Sequence, residues 1–255
     1  MLAEERRSRL LEFVRLRRFA SLPELVEELD VSESTIRRDL EHLERQGSTH
    51  RIHGGVLYAG SSPKMPHFDA RQSARWAQKR AIAEKAVALI EDGDTILLDG
   101  GSTTYEVARL LVGRPVYVVT TSLPVANLFA SDPNSDLVVI GGNICPRTGV
   151  AQGPYADKML EMVRVRKAVL GAAAVNDEGF FNNNLLLVGT ERAMMQAADE
   201  VILVTDSSKF GRQSLTHLCS LAEVDYVVVD SGLEEPWRRK LAAAGVCLLV
   251  ADENG

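Results

Sequence analysis

Seven short apolar runs recur along the second half of the chain, at 95–98, 116–120, 137–140, 168–170, 201–205, 226–229 and 246–250. Amphipathic helical spacing fills most of the gaps, at 78–90, 103–112, 124–130, 155–163, 191–198 and 236–244. Strands that alternate with helices at this interval predict an α/β domain with a mainly parallel sheet, because parallel strands need a crossover between them. In such sheets ligands bind beyond the carboxyl ends of the strands, so the loops after each run hold the candidate site.

Four of those loops carry polar chemistry. The first is Asp99-Gly100-Gly101-Ser102-Thr103-Thr104, which opens a helix. Its glycines allow close backbone approach, and its hydroxyls and free amides suit an oxyanion such as a phosphate. No lysine follows as in a nucleotide-binding P-loop, and a capped turn without a ligand would look the same. Gly141 and Gly142 follow the third run and suit either a pocket wall or a flexible turn. Asn182 begins an asparagine triplet whose amides suit sugar hydroxyls, or simply a polar loop. Lys209, in Asp206-Ser207-Ser208-Lys209-Phe210-Gly211, is either an anion contact or a surface lysine.

The first 55 residues read differently. Apolar positions predict a helix over 3–17, a second opening at Ser21-Leu22-Pro23-Glu24, and a third after Ser32. Ile36, Leu40 and Leu43 recur at helical spacing, so Ser34, Thr35, Arg37 and Arg38 point away from the buried stripe. Hydroxyls and guanidiniums on the first turns of a helix are what a DNA major groove can use, Arg for guanine edges and Ser or Thr for bases or phosphates. A solvated surface helix is the plainer alternative. Two helices joined by a tight turn make a helix-turn-helix. The alternating stretch Ser48–Gly55 predicts a hairpin wing, with Arg51 and His53 placed for phosphates or a minor groove. The module holds ten arginines, no lysine and eleven acids, so it carries about one net negative charge. Modest DNA affinity per module, raised by dimerisation, is the consequence.

Between the two parts, residues 58–75 include Gly60-Ser61-Ser62-Pro63 and Pro66, which predicts an extended connector. The expected division is therefore 1–57, 58–75 and 76–255. Three scattered cysteines, Cys145, Cys219 and Cys247, imply neither a disulfide frame nor a zinc site, and nothing calls for a cofactor or metal. No run approaches the roughly 18 apolar residues of a membrane span, and no apolar leader opens the chain, so a cytoplasmic protein is expected.

The run Ser32-Glu33-Ser34-Thr35-Ile36-Arg37-Arg38-Asp39-Leu40, followed by Leu43-Glu44, Gly47 and Arg51-Ile52-His53-Gly54-Gly55, resembles the DNA-binding signature of DeoR-type bacterial transcriptional regulators. The loops at 99–104, 121–124, 141–142 and 206–211 resemble the effector-binding domain of the same family, which is similar in fold to ribose-5-phosphate isomerase. The resemblance implies a winged helix-turn-helix, operator DNA as partner and a phosphorylated sugar as effector, and the weak binding expected of a single module adds a homo-oligomer, dimer or tetramer. It implies a repressor of a carbohydrate operon in which Ser32, Ser34, Thr35, Arg37, Arg38, Arg51 and His53 meet DNA. The alternative is a sugar-phosphate isomerase-like enzyme with an accessory module. Such isomerases carry an acid where this chain has Ala173, which cannot act as a general base.

Overall fold

A computed structural model describes residues 3–17, 19–45, 49–52, 55–58 and 68–252. The chain divides into two compact units, Met1–Lys64 and Met65–Gly255.

The first unit contains α1 (Ala3–Arg17), β1 (Phe19–Ser21), α2 (Leu22–Leu29), α3 (Glu33–Arg45), β2 (Thr49–Ile52) and β3 (Gly55–Tyr58). Ser21 starts α2 through a reciprocal capping box with Glu24, and Pro23 sits in the first turn, where no donor is lost. Asp30 adopts a left-handed conformation (φ 49°) and ends α2. The turn then brings α3 across, and Leu25, Leu29, Ile36, Leu40 and Leu43 close on Leu10, Val14, Ala20 and Val56. The expected wing is the antiparallel β2–β3 hairpin. A third strand, β1, lies on β3 and was not foreseen; three residues are too few to show alternation.

The second unit begins with α4 (Phe68–Ser73), a helical turn inside the stretch expected to be an extended connector. Residues 59–67 of that connector lie outside the described residues. There follow α5 (Trp76–Val87), β4 (Thr95–Leu98), α6 (Ser102–Leu111), β5 (Tyr117–Thr120), α7 (Leu123–Phe129) and β6 (Asp136–Val139). Next come a hairpin, β7 (Asn143–Cys145) and β8 (Val150–Gln152), then α8 (Pro154–Leu160) and β9 (Val165–Gly171). After β10 (Ala174–Asn176), β11 (Gly179–Asn182), α9 (Leu185–Gln196), β12 (Ala198–Val204), β13 (Thr216–Cys219) and β14 (Tyr226–Asp230), the unit ends with α10 (Glu235–Ala243) and β15 (Cys247–Ala251).

The seven predicted runs form one sheet in the order β15-β14-β12-β9-β4-β5-β6, and every pairing in it is parallel. Side-chain alternation feeds two cores. Leu97, Ala168, Leu170 and Leu203 lie with α8, α9 and α10 on one face. Ile96, Leu98, Val169 and Ile202 lie with α5, α6 and α7 on the other. From β4 the chain steps outward through β5 to β6, whereas β9, β12, β14 and β15 step the opposite way. The strand order therefore reverses between β4 and β9, and ligands of open α/β sheets bind at such a reversal, beyond the carboxyl ends of the strands.

Candidate functional sites

On α3 the polar groups stand in water. Ser32 accepts from the Thr35 and Ile36 amides through its carbonyl, at 2.9 and 3.1 Å, and its hydroxyl lies 2.9 Å from that of Thr35 and 3.0 Å from that of Ser34. Arg37 pairs with Glu33 one turn back, at 2.6 Å, and Arg38 is exposed. The opposite side of the helix is fixed by a charge cluster. Asp39, buried, accepts from Arg6 Nε at 2.5 Å and Arg7 Nε at 3.0 Å. Burial acts to raise the Asp39 carboxyl, but the two arginines outweigh it and hold the group below the usual carboxylate range. Thus Asp39 ties α3 to α1 and sets the angle at which Ser34, Thr35, Arg37 and Arg38 are presented. Arg51 lies on β2, where only its backbone is described, and His53 lies outside the described residues.

In the second unit the loop after β4 turns into α6 at the sheet's reversal point. Gly101 precedes the helix with no side-chain cap, so the Ser102, Thr103 and Thr104 amides lack the partners an interior helical amide would have. The Thr104 hydroxyl is committed to the loop, donating to the carbonyls of Asp99 (2.9 Å) and Gly101 (2.7 Å). Gly100 also has a packing role. A Cβ there would lie 2.0 Å from Val150 Cγ2, so glycine is required by packing against β8.

Polar groups without partners gather at the strand ends. Asp99 Oδ1, Thr121 Oγ1 and Thr205 Oγ1 are buried with no hydrogen bond, immediately beyond β4, β5 and β12. Burial pushes the Asp99 carboxyl up, and the nearby Gly100, Gly171 and Gly101 amides and the Arg71 charge offset this in part. Beside it stands a second buried acid. Glu191, on α9, is raised well above the ordinary value by burial and then by the Asp99 charge. Asn182 donates its amide to both Glu191 oxygens, at 2.6 and 2.8 Å. Asn184 is likewise occupied, accepting from the Leu186 and Leu187 amides as the cap of α9.

Cations border the same region. The Lys79 ammonium donates to the Arg71 and Ala74 carbonyls, and burial lowers it against the pull of Asp206. Lys209, half-buried in a turn held by Asp206, is close enough to lower Lys79 further. The sequence-predicted residues 99–104, Asn182 and Lys209 thus belong to one connected neighbourhood. Gly141 and Gly142 are exposed after β6, and the nearest neighbours of Gly142 are Ala156 and Gln152. Sequence reasoning missed Arg71, Lys79, Glu191 and Thr205, and it placed Thr121 in a matching loop without making it a site residue. Thr121 and Thr205 had a usable signal, since Thr121 directly follows a predicted strand and Thr205 is the last residue of one.

Among the described residues, no group of three or more His, Cys, Asp or Glu is placed to hold a metal ion. Cys219 is pushed up to about 12 by burial, which leaves it an inert thiol. Ala173 stands in the loop after β9, where its amide bonds Phe181. No helix among the described residues is long and apolar enough to cross a membrane.

A helix with water-exposed hydroxyls and guanidiniums, on the same chain as a parallel sheet with unpaired polar groups at its reversal point, defines a ligand-sensing DNA-binding regulator. Comparison with known proteins makes this specific. A DeoR-like helix-turn-helix domain matches residues 6–62, and a DeoR C-terminal sensor domain matches residues 75–231. The chain belongs to the DeoR family of transcriptional regulators. It is 31% identical to the uncharacterised regulator YgbI of Escherichia coli K12, over 98% of this chain and 99% of that one. It is 32% identical to the putative aga operon transcriptional repressor of Escherichia coli O157:H7, over 98% and 94%. It is also 32% identical to the glycerol-3-phosphate regulon repressor of Escherichia coli K12, over 89% and 90%. These relatives are regulators, and the chain is a regulator and not an enzyme. Among solved structures it is similar to ribose 5-phosphate isomerase A of Methanocaldococcus jannaschii, with 23% identity and a TM-score of 0.38 over 52% of this chain and 53% of that one.

Proposed function

We propose that this protein is a cytoplasmic repressor of a carbohydrate operon that releases its operator when a phosphorylated sugar binds the second unit. The observation that carries this reading is the set of buried, unpaired polar atoms on Asp99, Thr121 and Thr205, next to the uncapped start of α6. A phosphate suits the amides of Ser102, Thr103 and Thr104. Sugar hydroxyls suit Asp99, Thr121 and Thr205, because each offers hydrogen bonding that the protein leaves unused. The names of the aga and glycerol-3-phosphate regulators, and of an L-fucose operon activator 31% identical over 89% of this chain, point to the same ligand class.

Operator contact falls to Ser32, Ser34, Thr35, Arg37 and Arg38, with Arg51 and His53 assigned to the wing. A module with about one net negative charge binds DNA weakly alone, so paired modules in a homo-oligomer follow. Release requires that the effector bind the two operator-affinity states unequally.

Fluorescence anisotropy with labelled DNA from upstream of the gene, across a salt series, tests both halves. The expected result is selective, salt-dependent binding that one phosphate ester abolishes and its free sugar does not. Binding indifferent to every ester would remove the sensor half. Absence of selective binding at low salt would remove the operator half.

A further inference from the structure

The strand-end cluster contains one strong donor that the family resemblance did not single out. Arg71 lies on α4, and its Nε and Nη2 are buried with no hydrogen-bond partner. The backbone of α4 is held at both ends. The Phe68 amide donates to the Arg147 carbonyl at 3.1 Å, and its ring meets Tyr105 of α6 edge-on, with centroids 5.2 Å apart. At the other end, the Lys79 ammonium binds the carbonyls of Arg71 and Ala74. The Arg71 guanidinium also lies over the Phe68 ring, 5.8 Å from its centroid.

A guanidinium in this position needs a reason. It is a rigid planar fork of donors matched to two oxygens of one anion. Its strongest attraction is to Asp99, whose Oδ1 is itself unpaired. Two opposite charges that attract one another, yet each keep unused hydrogen-bonding atoms, leave a place for a group carrying both acceptors and donors. A sugar phosphate has both: phosphate oxygens accept from the guanidinium, and hydroxyls donate to the carboxylate.

We infer that Arg71 is a second anion ligand of the sensor site beside the α6 amides, that it grips the phosphate of the effector in a two-pronged contact, and that α4 is thereby the element through which occupancy is registered. This rests on the sugar-phosphate reading above and deepens it. The position of α4 in the chain gives the contact its regulatory consequence. Only residues 59–67 separate it in sequence from β3 of the DNA-binding unit.

The test uses the full-length protein and its Arg71→Ala and Arg71→Lys variants. Thermal shift is measured with inorganic phosphate and with a panel of sugar phosphates and their free sugars, and operator release is titrated with the same compounds. Loss of a charge-assisted two-pronged contact should weaken ester binding roughly ten- to a hundredfold. Arg71→Lys should recover part of it, since the charge remains and the fork does not. Arg71→Lys, which keeps the charge beside Asp99, is the control for stability, because Arg71→Ala removes two buried unpaired donors but also leaves Asp99 without its counter-charge. An Arg71→Ala protein that binds and responds to the ester at wild-type concentrations would overturn the assignment while leaving the sugar-phosphate reading intact. A wild-type protein that neither shifts nor releases DNA with any ester would overturn both.

Discussion

The reading helix and the sensor site keep their polar groups ready in opposite ways. On α3, Arg37 and Glu33 are both more than half exposed, and the Ser32, Ser34 and Thr35 hydroxyls bond one another at the surface. Such exposed contacts are worth roughly 0–1 kcal/mol, so DNA can take them over at little cost. At the sheet's reversal point, Asp99 Oδ1, Thr121 Oγ1 and Thr205 Oγ1 are buried with no hydrogen-bond partner in the protein. Each such atom costs about 1–3 kcal/mol in the ligand-free protein. That arrangement persists only because two large cores on the faces of the sheet over-determine it. A surface that meets a polyanion in water can therefore be built on a small core, whereas a site that meets a small polar ligand out of water needs a large one.

The most damaging test of this contrast attacks the smaller core. Leu40 is fully buried among nine buried apolar residues of the first unit. Leu40→Ala should cost that unit about 2–5 kcal/mol. Calorimetry should then show the first unit melting earlier, operator binding lost, and the ester-induced shift of the second unit kept. Simultaneous loss of the ester response would show that the two units are not independently stabilised.

Asp39→Asn probes how the reading face is aimed. Removing the charge leaves Arg6 and Arg7 without their partner and should cost about 1–3 kcal/mol. The sign with pH follows from a folded-state carboxyl held below its unfolded value. Its stabilisation is complete above the unfolded pKa of about 3.9 and is lost as pH falls through the lower folded value. Wild type should accordingly lose more stability than Asp39→Asn when taken below about pH 4, a difference that acid titration of unfolding reads directly.

The two regions were unequally legible in the sequence. Helix spacing and the capping signals at Ser21 and Ser32 are local, and they define α2 and α3 without knowledge of the rest of the chain. The seven strands of the parallel sheet were visible for a similar reason, since strands buried on both faces are continuous apolar runs. The β7–β8 hairpin and the β10-β11-β13 sheet were not, being strands of three or four residues whose pairing is decided by distant neighbours. The same division runs through the sensor site. The loop at 99–104 announces itself by glycines and hydroxyls beside a strand. Arg71 and Glu191 reach it from α4 and α9, and no spacing rule links positions so far apart. Asn182 was picked for the ligand on its chemistry, but its amide is engaged by Glu191.

On the reading face the effects should be smaller and confined to DNA. Arg37→Ala and Arg38→Ala should each weaken operator binding about tenfold, with no change in melting temperature, because neither side chain is buried. The salt dependence separates their roles. A variant that lowers the slope of log affinity against log salt by about one has lost a phosphate contact, and one that instead relaxes sequence preference has lost a base contact.

The smallest expected effect goes in the opposite direction. Thr205→Val swaps a buried, unpaired hydroxyl for a methyl of nearly the same shape. If that hydroxyl is kept for a ligand, its removal should stabilise the ligand-free protein by about 1 kcal/mol, since an unmet polar group leaves the interior. The same change should weaken the ester-induced thermal shift, so that stability and response move apart in one variant. On the reading helix no substitution should do this, because nothing there is held unpaired in the dry interior. A Thr205→Val protein that loses stability would mean the hydroxyl has a partner in solution, most simply an ordered water. The sensor site would then be kept ready in the same inexpensive way as the DNA face.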